Sequence, residues 1–356
     1  MATATVTRDE AKRRDERLFS GTLVNILIYV IMFLASVVVT LGGCALFTNG
    51  IEWLGKRLKV PEGVVGSVFA AIGTTLPETS IPIIAIFFGT GEARTAVGLG
   101  AILGAPFMLS TLVLPILAGL LVIYARLGKR TAAFQLDYRE IRLDAQFFLV
   151  AYGLAMACVF VASPLVRYCV AALLIVLYGF YIKTKFASEV REDMTLDPLF
   201  LAPRSRNPSY VWIGLQGTLG LLGLVGGAHL FVTAAKSLSA ELDVSPLLLA
   251  LLIAPLATEL PEMSNSFLWL YQKKDTLAVG NVTGAMVFQG TFPVSVGLIG
   301  TNWDLSPVAM TTMGLALIAV GMNFVQLWWG NHWRPWVLGL SALLYVGFTL
   351  YVSGSY

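Results

Sequence analysis

The chain has 356 residues, of which 57% are hydrophobic and 13% are charged, whereas a soluble domain carries about 25% charged residues. The formal net charge is only +3, and nothing in the chain resembles a nucleic-acid-binding surface, so no nucleic-acid partner is expected. These properties exclude an ordinary soluble protein. They predict an integral, multi-pass protein of the plasma (inner) membrane, with the lipid bilayer as a partner and with the oligomeric state left open.

A polar N-terminal tail at residues 1–20 precedes the first of many apolar stretches. These stretches are long enough to cross about 30 Å of hydrocarbon. We predict ten membrane-spanning helices, at about 23–54, 62–89, 94–125, 145–163, 166–185, 210–240, 245–271, 276–300, 307–329 and 334–354. The expected fold class is therefore an all-α membrane protein.

The predicted spans fall into two sets of five, separated by a polar central connector at residues 186–209. Residues 21–185 form the predicted first five-helix repeat, and residues 210–356 form the second. Because five is odd, the second half must enter the membrane from the opposite side, which predicts an inverted pair of repeats. Inverted repeats with interrupted helices at the membrane midplane are a recurring design of secondary transporters.

The two halves also share sequence. With a shift of 184 positions, Gly42–Glu78 aligns with Gly226–Glu262 without a gap, and twelve of the 37 positions are identical. Both copies contain Leu-Pro-Glu with a threonine four residues before the glutamate. Further along, Gly100–Ala105 aligns with Gly280–Ala285 at a shift of 180. The Gly-x-x-x-Gly pair in each of these segments predicts close packing between helices.

The repeated motif, Gly73–Glu78 and Ala257–Glu262, combines a proline with a carboxylate inside an apolar stretch. Proline has no N–H, so the carbonyl four residues before it loses its helical partner, and inside lipid a freed carbonyl needs another one. Helical spacing places the threonine and the glutamate of each copy on one face. Two crossing helices would then present carboxylates, hydroxyls and carbonyls to one hard cation such as Ca²⁺. The motif predicts a cation site built by Pro-interrupted helices at the midplane.

A purely structural role is the alternative for this motif, because a protonated, hydrogen-bonded glutamate beside a proline kink can serve folding alone. The symmetric duplication favours the cation site. Three cysteines and two histidines are too few and too scattered for a zinc cluster or a disulfide framework. The chain also lacks the phosphate-binding loop of an ATP-driven pump and any recognisable catalytic motif. No enzymatic activity and no cofactor are expected, apart from the transported ions.

The motif pair resembles the cation/calcium exchanger superfamily, that is, sodium/calcium exchanger-like integral membrane proteins with two α-repeats. Each of its repeats runs approximately Gly-Thr-Ser-Leu-Pro-Glu, then a spacer, then Gly-Asn-Val-Ile-Gly-Ser-Asn-Ile-Phe-Asn. Gly73–Glu78 and Ala257–Glu262 match the first block. Gly280–Gly284 matches the second block well, and Gly100–Gly104 matches it loosely. The ten-helix inverted plan with a central connector also fits this superfamily.

The resemblance implies which residues bind the ions. It implies that Ca²⁺ is held by the two glutamates and by the threonines four residues before them, which are Glu78, Glu262, Thr74 and Thr258 here. The superfamily's serine before Leu-Pro-Glu, which helps to bind Na⁺, is Thr75 in the first copy and Glu259 in the second. In the second block, Asn281 is retained and Gln289 stands at the position of the last Asn or Asp.

Several positions depart from the superfamily's pattern. Ala105 and Ala285 replace a serine, Leu109 replaces the last Asn or Asp of the first copy, and Glu259 adds a third carboxylate. Three carboxylates around one dication leave net negative charge, so one of them should bind a proton or a further cation. These departures make Na⁺ coupling doubtful and H⁺ coupling credible, although the Gly-Asn-x-x-Glu-type motif of the superfamily's Ca²⁺/H⁺ branch is not seen. The alternative for Glu259 is that it faces Lys236 or His229 rather than the site.

The leading prediction is a secondary-active antiporter that exchanges Ca²⁺ for Na⁺ or H⁺ by alternating access, with metal cations as its substrates. One alternative is a monovalent-cation/H⁺ antiporter. The other is a non-transporting membrane sensor or scaffold that retains a degenerate exchanger fold.

Overall fold

The computed structural model describes residues 2–88, 93–161, 163–187, 196–241, 259–330 and 333–354. These residues form helices and connecting turns without any β-strand, which confirms the all-α class. Two short π-helical segments in the described ranges are Val65–Ala70 and Leu109–Val113. The α-helices are α1 (Ala2–Leu58), α2 (Glu62–Val64), α3 (Ala71–Phe88), α4 (Ala93–Met108), α5 (Leu114–Arg126), α6 (Tyr138–Cys158), α7 (Pro164–Phe186), α8 (Tyr210–Glu241), α9 (Leu260–Tyr271), α10 (Asp275–Gly300), α11 (Pro307–Gly330) and α12 (Pro335–Gly354).

Eight helical stretches of the described chain are long and apolar enough to span a bilayer, which confirms a multi-pass membrane protein. They are Val24–Leu58, Gly98–Arg126, Tyr138–Cys158, Pro164–Phe186, Tyr210–Phe231, Asp275–Gly300, Pro307–Trp329 and Pro335–Val352. Two of the ten predicted spans are not in this set. The predicted span at 62–89 is divided into α2, a π-helical segment and α3, and contains a shorter apolar helix at Val65–Thr75. The predicted span at 245–271 begins outside the described residues.

Helix α6 begins at Tyr138, although the sequence predicts that the fourth span begins near residue 145. The Asp137 side chain caps the helix by accepting a hydrogen bond from the backbone N–H of Arg139, as N-cap aspartates commonly do. The charged residues that follow were expected to lie in a polar loop. Glu140 and Asp144 are instead helical and buried, because a lysine of α7 pairs with both of them.

Helices α1 and α8, which are the first helices of the two predicted repeats, pack with their backbones almost in contact. A Cβ atom added at Gly43 would overlap the backbone of Leu224, and one added at Gly227 would overlap Thr40. Residue numbers rise along one helix as they fall along the other, so α1 and α8 run antiparallel. The shift of 184 exchanges the two contacts, since it aligns Thr40 with Leu224 and Gly43 with Gly227. Equivalent helices that run in opposite directions are what inverted repeats require.

Helix α10 is buried almost throughout and contacts helices of both halves, including α3, α4, α6, α7 and α9. It lies directly against the π-helical segment Val65–Ala70. A Cβ atom at Gly284 would overlap the backbone of Ser67, and one at Gly280 would meet the Ser67 hydroxyl. The second Gly-x-x-x-Gly pair therefore allows close helix packing, as the sequence predicts.

The first Gly-x-x-x-Gly pair does not show such a contact. At Gly100 and Gly104, no atom of the described chain lies within 4 Å of the position that a Cβ atom would take. The residue aligned with Ser67 at a shift of 184 is Leu251, which lies outside the described residues. The predicted packing role is therefore confirmed for the second pair and stays a prediction for the first.

Replacing Gly284 with alanine is expected to lower the thermal stability, because the added methyl group has no space beside Ser67 and one backbone must shift. Overpacking of this kind typically costs about 1–3 kcal/mol. Gly321→Ala in α11 is a matched control, since no described atom lies within 4 Å of its Cβ position and alanine favours a helix. Melting temperatures of both variants in detergent test the contact. A Gly284→Ala protein as stable as its parent would contradict it.

Candidate functional site

The second copy of the repeated motif lies at the start of α9. Glu259 occupies the N-cap position without a side-chain capping bond, and Pro261 lies in the first turn, followed by Glu262. Proline is well tolerated there because first-turn N–H groups have no intrahelical partner. Any helix that ends just before this turn would lie in residues 242–258, which are outside the described residues, so the predicted helix interruption stays a prediction. Ala257, whose carbonyl was expected to be freed, lies outside the described residues. In the first copy Pro77 does lie inside a helix, α3.

Two carboxyl groups of this segment are buried without hydrogen-bond donors. Glu259 is 1% exposed and Glu262 is 0% exposed. None of their four carboxyl oxygens has a hydrogen-bond partner among the residues that the structure describes. The two side chains are close enough to interact electrostatically. Because a buried charge without a partner is very costly, these oxygens favour the binding of a cation or a proton.

Helix α3 brings the first copy of the motif to this segment. Thr74 and Thr75 are both fully buried, and Thr74 lies against the Glu262 carboxyl group. The Thr74 hydroxyl donates to the carbonyl of Ala70 at 3.0 Å, and Thr75 donates to that of Ala71 at 2.8 Å. The hydroxyl oxygen also carries lone pairs, so Thr74 brings a suitable neutral ligand for a cation to the Glu262 carboxyl group.

Helix α10 adds an amide whose orientation is determined by its partners. Asn281 donates through Nδ2 to the backbone carbonyl of Glu262 and to the hydroxyl of Ser266, both at 3.1 Å. A carbonyl can only accept, so the nitrogen must face it, and Oδ1 is left without a donor in the described chain. Gln289 is also buried, but it follows Asn281 by eight residues, which is about 12 Å along the helix axis.

The structure thus brings four of the predicted site residues together from α3, from α10 and from the start of α9, namely Thr74, Glu259, Glu262 and Asn281. It buries Thr75 on the same helix as Thr74 and separates Gln289 from Asn281. The Glu78 side chain and Thr258 lie outside the described residues, so the meeting of two glutamates stays a prediction. Within the described chain, no group of three or more His, Cys, Asp or Glu side chains converges to hold a metal.

A second buried polar cluster lies on the opposite face of α10 and was not predicted. We call it the Lys185 network, and its members are Ser67, Glu140, Asp144, Tyr181, Lys185 and Thr283. The ammonium group of Lys185 lies 2.6 Å from a carboxylate oxygen of Glu140 and 2.6 Å from one of Asp144. Asp144 also accepts hydrogen bonds from Tyr181 at 2.9 Å, from Ser67 at 3.0 Å and from Thr283 at 2.6 Å.

The Lys185 network fastens the first half of the molecule to the second. Ser67 belongs to the π-helical segment before α3, and Thr283 belongs to α10, yet both donate to the same Asp144 oxygen. The sequence holds one signal for this cluster, since Glu140 and Asp144 are four residues apart and share a helical face. It does not indicate that Lys185, at the end of the next span, is their partner.

Comparisons with known proteins agree with this architecture. A family model described as Sodium/calcium exchanger protein matches residues 28–187 and 213–354. The protein named "Putative antiporter CaxA" from Alkalimonas amylolytica is 22% identical over 285 residues, which cover 77% of this chain and 81% of the relative. The inner membrane protein YrbG from Escherichia coli is 22% identical over 310 residues, which cover 85% of this chain and 88% of the relative.

The fold is also similar to a solved one. The sodium-calcium exchanger NCX_Mj, in a structure soaked with zero Na⁺ and Ca²⁺, superimposes with a TM-score of 0.71 at 20% sequence identity. The match covers 90% of this chain and 97% of that one. At this level of identity, the likeness establishes the fold.

Replacing Lys185 with methionine is expected to destabilise the protein by about 3–5 kcal/mol, because it leaves buried Asp144 and Glu140 without their cation. Lys183→Met on the same helix is the matched control, since Lys183 is exposed and such changes usually stay within about 0.5 kcal/mol. The double variant Asp144→Asn/Lys185→Met should lose less unfolding free energy than the sum of the losses of its two single variants, by about 0.5–3 kcal/mol. Denaturant unfolding of the parent, the two single variants and the double variant measures this coupling, and strictly additive losses would contradict it.

Proposed function

Because this chain belongs to the sodium/calcium exchanger protein family, we propose that it is a secondary-active antiporter that exchanges Ca²⁺ for Na⁺ or H⁺. Members of this family are transporters rather than enzymes. One site would bind the two ions in turn and open alternately to the two sides of the membrane. Ca²⁺ and its counter-ion are the substrates, and no resident cofactor takes part.

The observation that carries this proposal is the unpartnered state of the Glu262 carboxyl group. A fully buried carboxyl group without a donor in the described chain is unfavourable without a ligand and favourable once a cation binds. Among the described residues, Thr74 lies beside this carboxyl group and Asn281 contacts the backbone of Glu262, and both side chains carry a neutral oxygen. Ca²⁺ accepts 6–8 such ligands in flexible geometry. Thiolate and imidazole ligands, which softer metals prefer, are not part of this set.

We further propose that the first half completes the site through symmetry. The shift of 184 pairs Glu78 with Glu262 and Thr74 with Thr258. Glu78 follows Thr74 by one helical turn in α3, and neighbours at this spacing share a face. Since Thr74 lies against Glu262, the Glu78 carboxyl group is proposed to approach the same point from the first half. Thr75 would add a neutral oxygen, and Gln289 a more distant one.

The membrane topology proposed for this function has ten spans in two inverted sets of five, with the connector at 186–209 between them. The antiparallel contact of the equivalent helices α1 and α8 supports it, because residue pairs in that contact exchange under the repeat shift. An inverted pair of repeats places the glutamates near the midplane. Movement of α1 and α8 against the remaining helices would then open the site to either side.

Glu259 bears on the choice of counter-ion. This third carboxyl group is buried beside Glu262, so the site would carry excess negative charge around one Ca²⁺. A proton bound at Glu259 would remove that excess, which favours H⁺ over Na⁺. The same residue also supports the second candidate, a monovalent-cation/H⁺ antiporter, which competition by Na⁺ or K⁺ without any effect of Ca²⁺ would select.

Replacing Glu262 with glutamine is expected to reduce gradient-driven uptake of radioactive Ca²⁺ into proteoliposomes to background, because the central charged ligand is lost. Asp304→Asn is the matched control, since Asp304 is exposed and carries the same charge. A parent protein without Ca²⁺ flux under either a Na⁺ or a pH gradient would refute the proposed antiport. It would leave the sensor or scaffold as the alternative. Parental flux in Glu262→Gln would refute the site.

Replacing Glu259 with glutamine tests the counter-ion. The amide keeps the size of the side chain but cannot carry a proton, so Ca²⁺ uptake driven by a pH gradient should be lost while Ca²⁺ binding is retained. Parallel flux measurements under a pH gradient and under a Na⁺ gradient provide the readout. Unchanged pH-driven uptake in Glu259→Gln would contradict a proton-carrying role.

A further inference from the structure

We propose that Asn265 is a further cation-binding residue, a neutral ligand that helps to select the transported ion at the Glu262 site. The inference rests on the proposed antiport function and adds to it a residue that neither the repeated motif nor the symmetry of the two halves indicates. Its counterpart at a shift of 184 is Ile81, so the ligand would be specific to the second half.

Asn265 is buried without a hydrogen-bond partner in the described chain. The side chain is 0% exposed, and neither its Nδ2 nor its Oδ1 atom has a hydrogen-bond partner among the described residues. Buried amides are nearly always hydrogen-bonded, and an unsatisfied one destabilises the folded protein. Such a group is explained if it gains its partner only when a ligand enters.

The position of Asn265 on α9 places it beside Glu262. Ser266 faces α10, where it meets Asn281, and Trp269 faces α1. At about 100° per residue, Glu262 lies between these two directions. Asn265 lies on the same side as Trp269, about 60° around the helix from Glu262. Side chains three residues apart on a helix have Cβ atoms about 5–6 Å apart. Asn281 and Asn265 therefore flank the Glu262 carboxyl group on its two sides.

Helix α1 covers the side of α9 that carries Asn265. Glu52 of α1 accepts a hydrogen bond from the indole N–H of Trp269 at 2.7 Å. Earlier in α1, the Phe47 ring lies where a Cβ atom of Gly73, in the motif of α3, would be. Helix α1 thus runs beside α9 along the stretch between the repeated motif and Trp269. Asn265 lies within this stretch, inside the protein and next to the site.

The chemistry of an amide suits this position. Asparagine carbonyl oxygens are common Ca²⁺ ligands, and two oxygens that bind one ion can belong to neighbouring side chains of one helical face. The proposed site already holds the carboxyl groups of Glu78, Glu259 and Glu262 against a charge of +2. A further carboxylate would increase the excess of negative charge, whereas an amide raises the number of ligands without adding charge.

Thermal-shift titrations of the purified full-length protein with Ca²⁺, Mg²⁺ and Na⁺ test the proposal. Asn265→Leu removes both amide atoms at nearly constant size. It should leave the cation-free protein at least as stable as the parent and weaken apparent Ca²⁺ affinity at least about tenfold, as loss of a metal-supporting group commonly does. Asn265→Asp keeps an oxygen and should retain Ca²⁺ binding.

Asn323→Leu is the matched control, because the amide of Asn323 is equally buried but fully partnered. It donates to the carbonyl of Ala319 at 2.8 Å and to Ser341 at 3.3 Å, and it accepts from Trp333 at 3.0 Å. Its replacement should lower the stability of the cation-free protein and leave the Ca²⁺ affinity unchanged.

The possible outcomes are distinguishable. If the parent responds to Ca²⁺ and Asn265→Leu responds with the same affinity, the inference is overturned while the proposed function stands. If Asn265→Leu loses as much cation-free stability as Asn323→Leu, the amide is structural and the inference is again overturned. If the parent itself shows no response to any of the cations, the proposed function fails and the inference with it.

Discussion

The contact between the backbones at Ser67 and Gly284 determines how the two halves of the molecule meet. Because no side chain separates them, α10 lies directly on the π-helical segment that leads into α3. Asp144 then accepts hydrogen bonds from Ser67 and from Thr283, which fixes the position of the π-helical segment along the axis of α10. Thr74 follows Ser67 by about two helical turns, so this alignment places Thr74 beside Glu262. A slip of one turn, about 5.4 Å, would separate them.

Buried carboxyl groups lie on both faces of helix α10, and only those on one face have partners in the described chain. On one face, the carboxylates of Glu140 and Asp144 both pair with Lys185, and Asp144 also accepts hydrogen bonds from neutral donors. On the other face, Glu259 and Glu262 have no donors in the described chain. A fully partnered cluster stabilises one arrangement, whereas unpartnered carboxyl groups attract an ion. This contrast is what supports a structural role for the Lys185 network and the proposed ion-binding role for Glu259 and Glu262.

The two halves are alike in plan and unlike in chemistry. The repeat shift pairs Thr75 with Glu259 and Ile81 with Asn265, so the second half carries a carboxyl group and an amide where the first has a hydroxyl and an alkyl side chain. In the proposed transport cycle, a symmetric scaffold would allow the site to open to each side in turn. The different side chains of the two halves would then set the selectivity for the bound ion and its coupling to a proton.

Much of this protein is determined by the sequence alone, because the relevant signals are local. Apolar length predicts the membrane helices, the duplicated Leu-Pro-Glu with its threonine predicts a site that includes Glu262, and the resemblance to the exchanger superfamily adds Asn281. The predicted start of α6 was wrong because Glu140 and Asp144 are charged, and charged residues at the end of an apolar stretch indicate a loop unless their buried partner, Lys185, is known. The position of Pro261 in a first turn likewise depends on where the helix begins.

Only the tertiary structure shows that Lys185 pairs with Asp144 and that Asn265 has no hydrogen-bond partner among the residues it describes. These properties belong to pairs of groups far apart in the chain, and the cost of a buried polar atom depends on which neighbour is placed beside it. Local sequence indicates which buried polar atoms need a hydrogen-bond or ion-pair partner. The packing of distant helices determines which of these atoms have such a partner within the protein and which remain available to an ion.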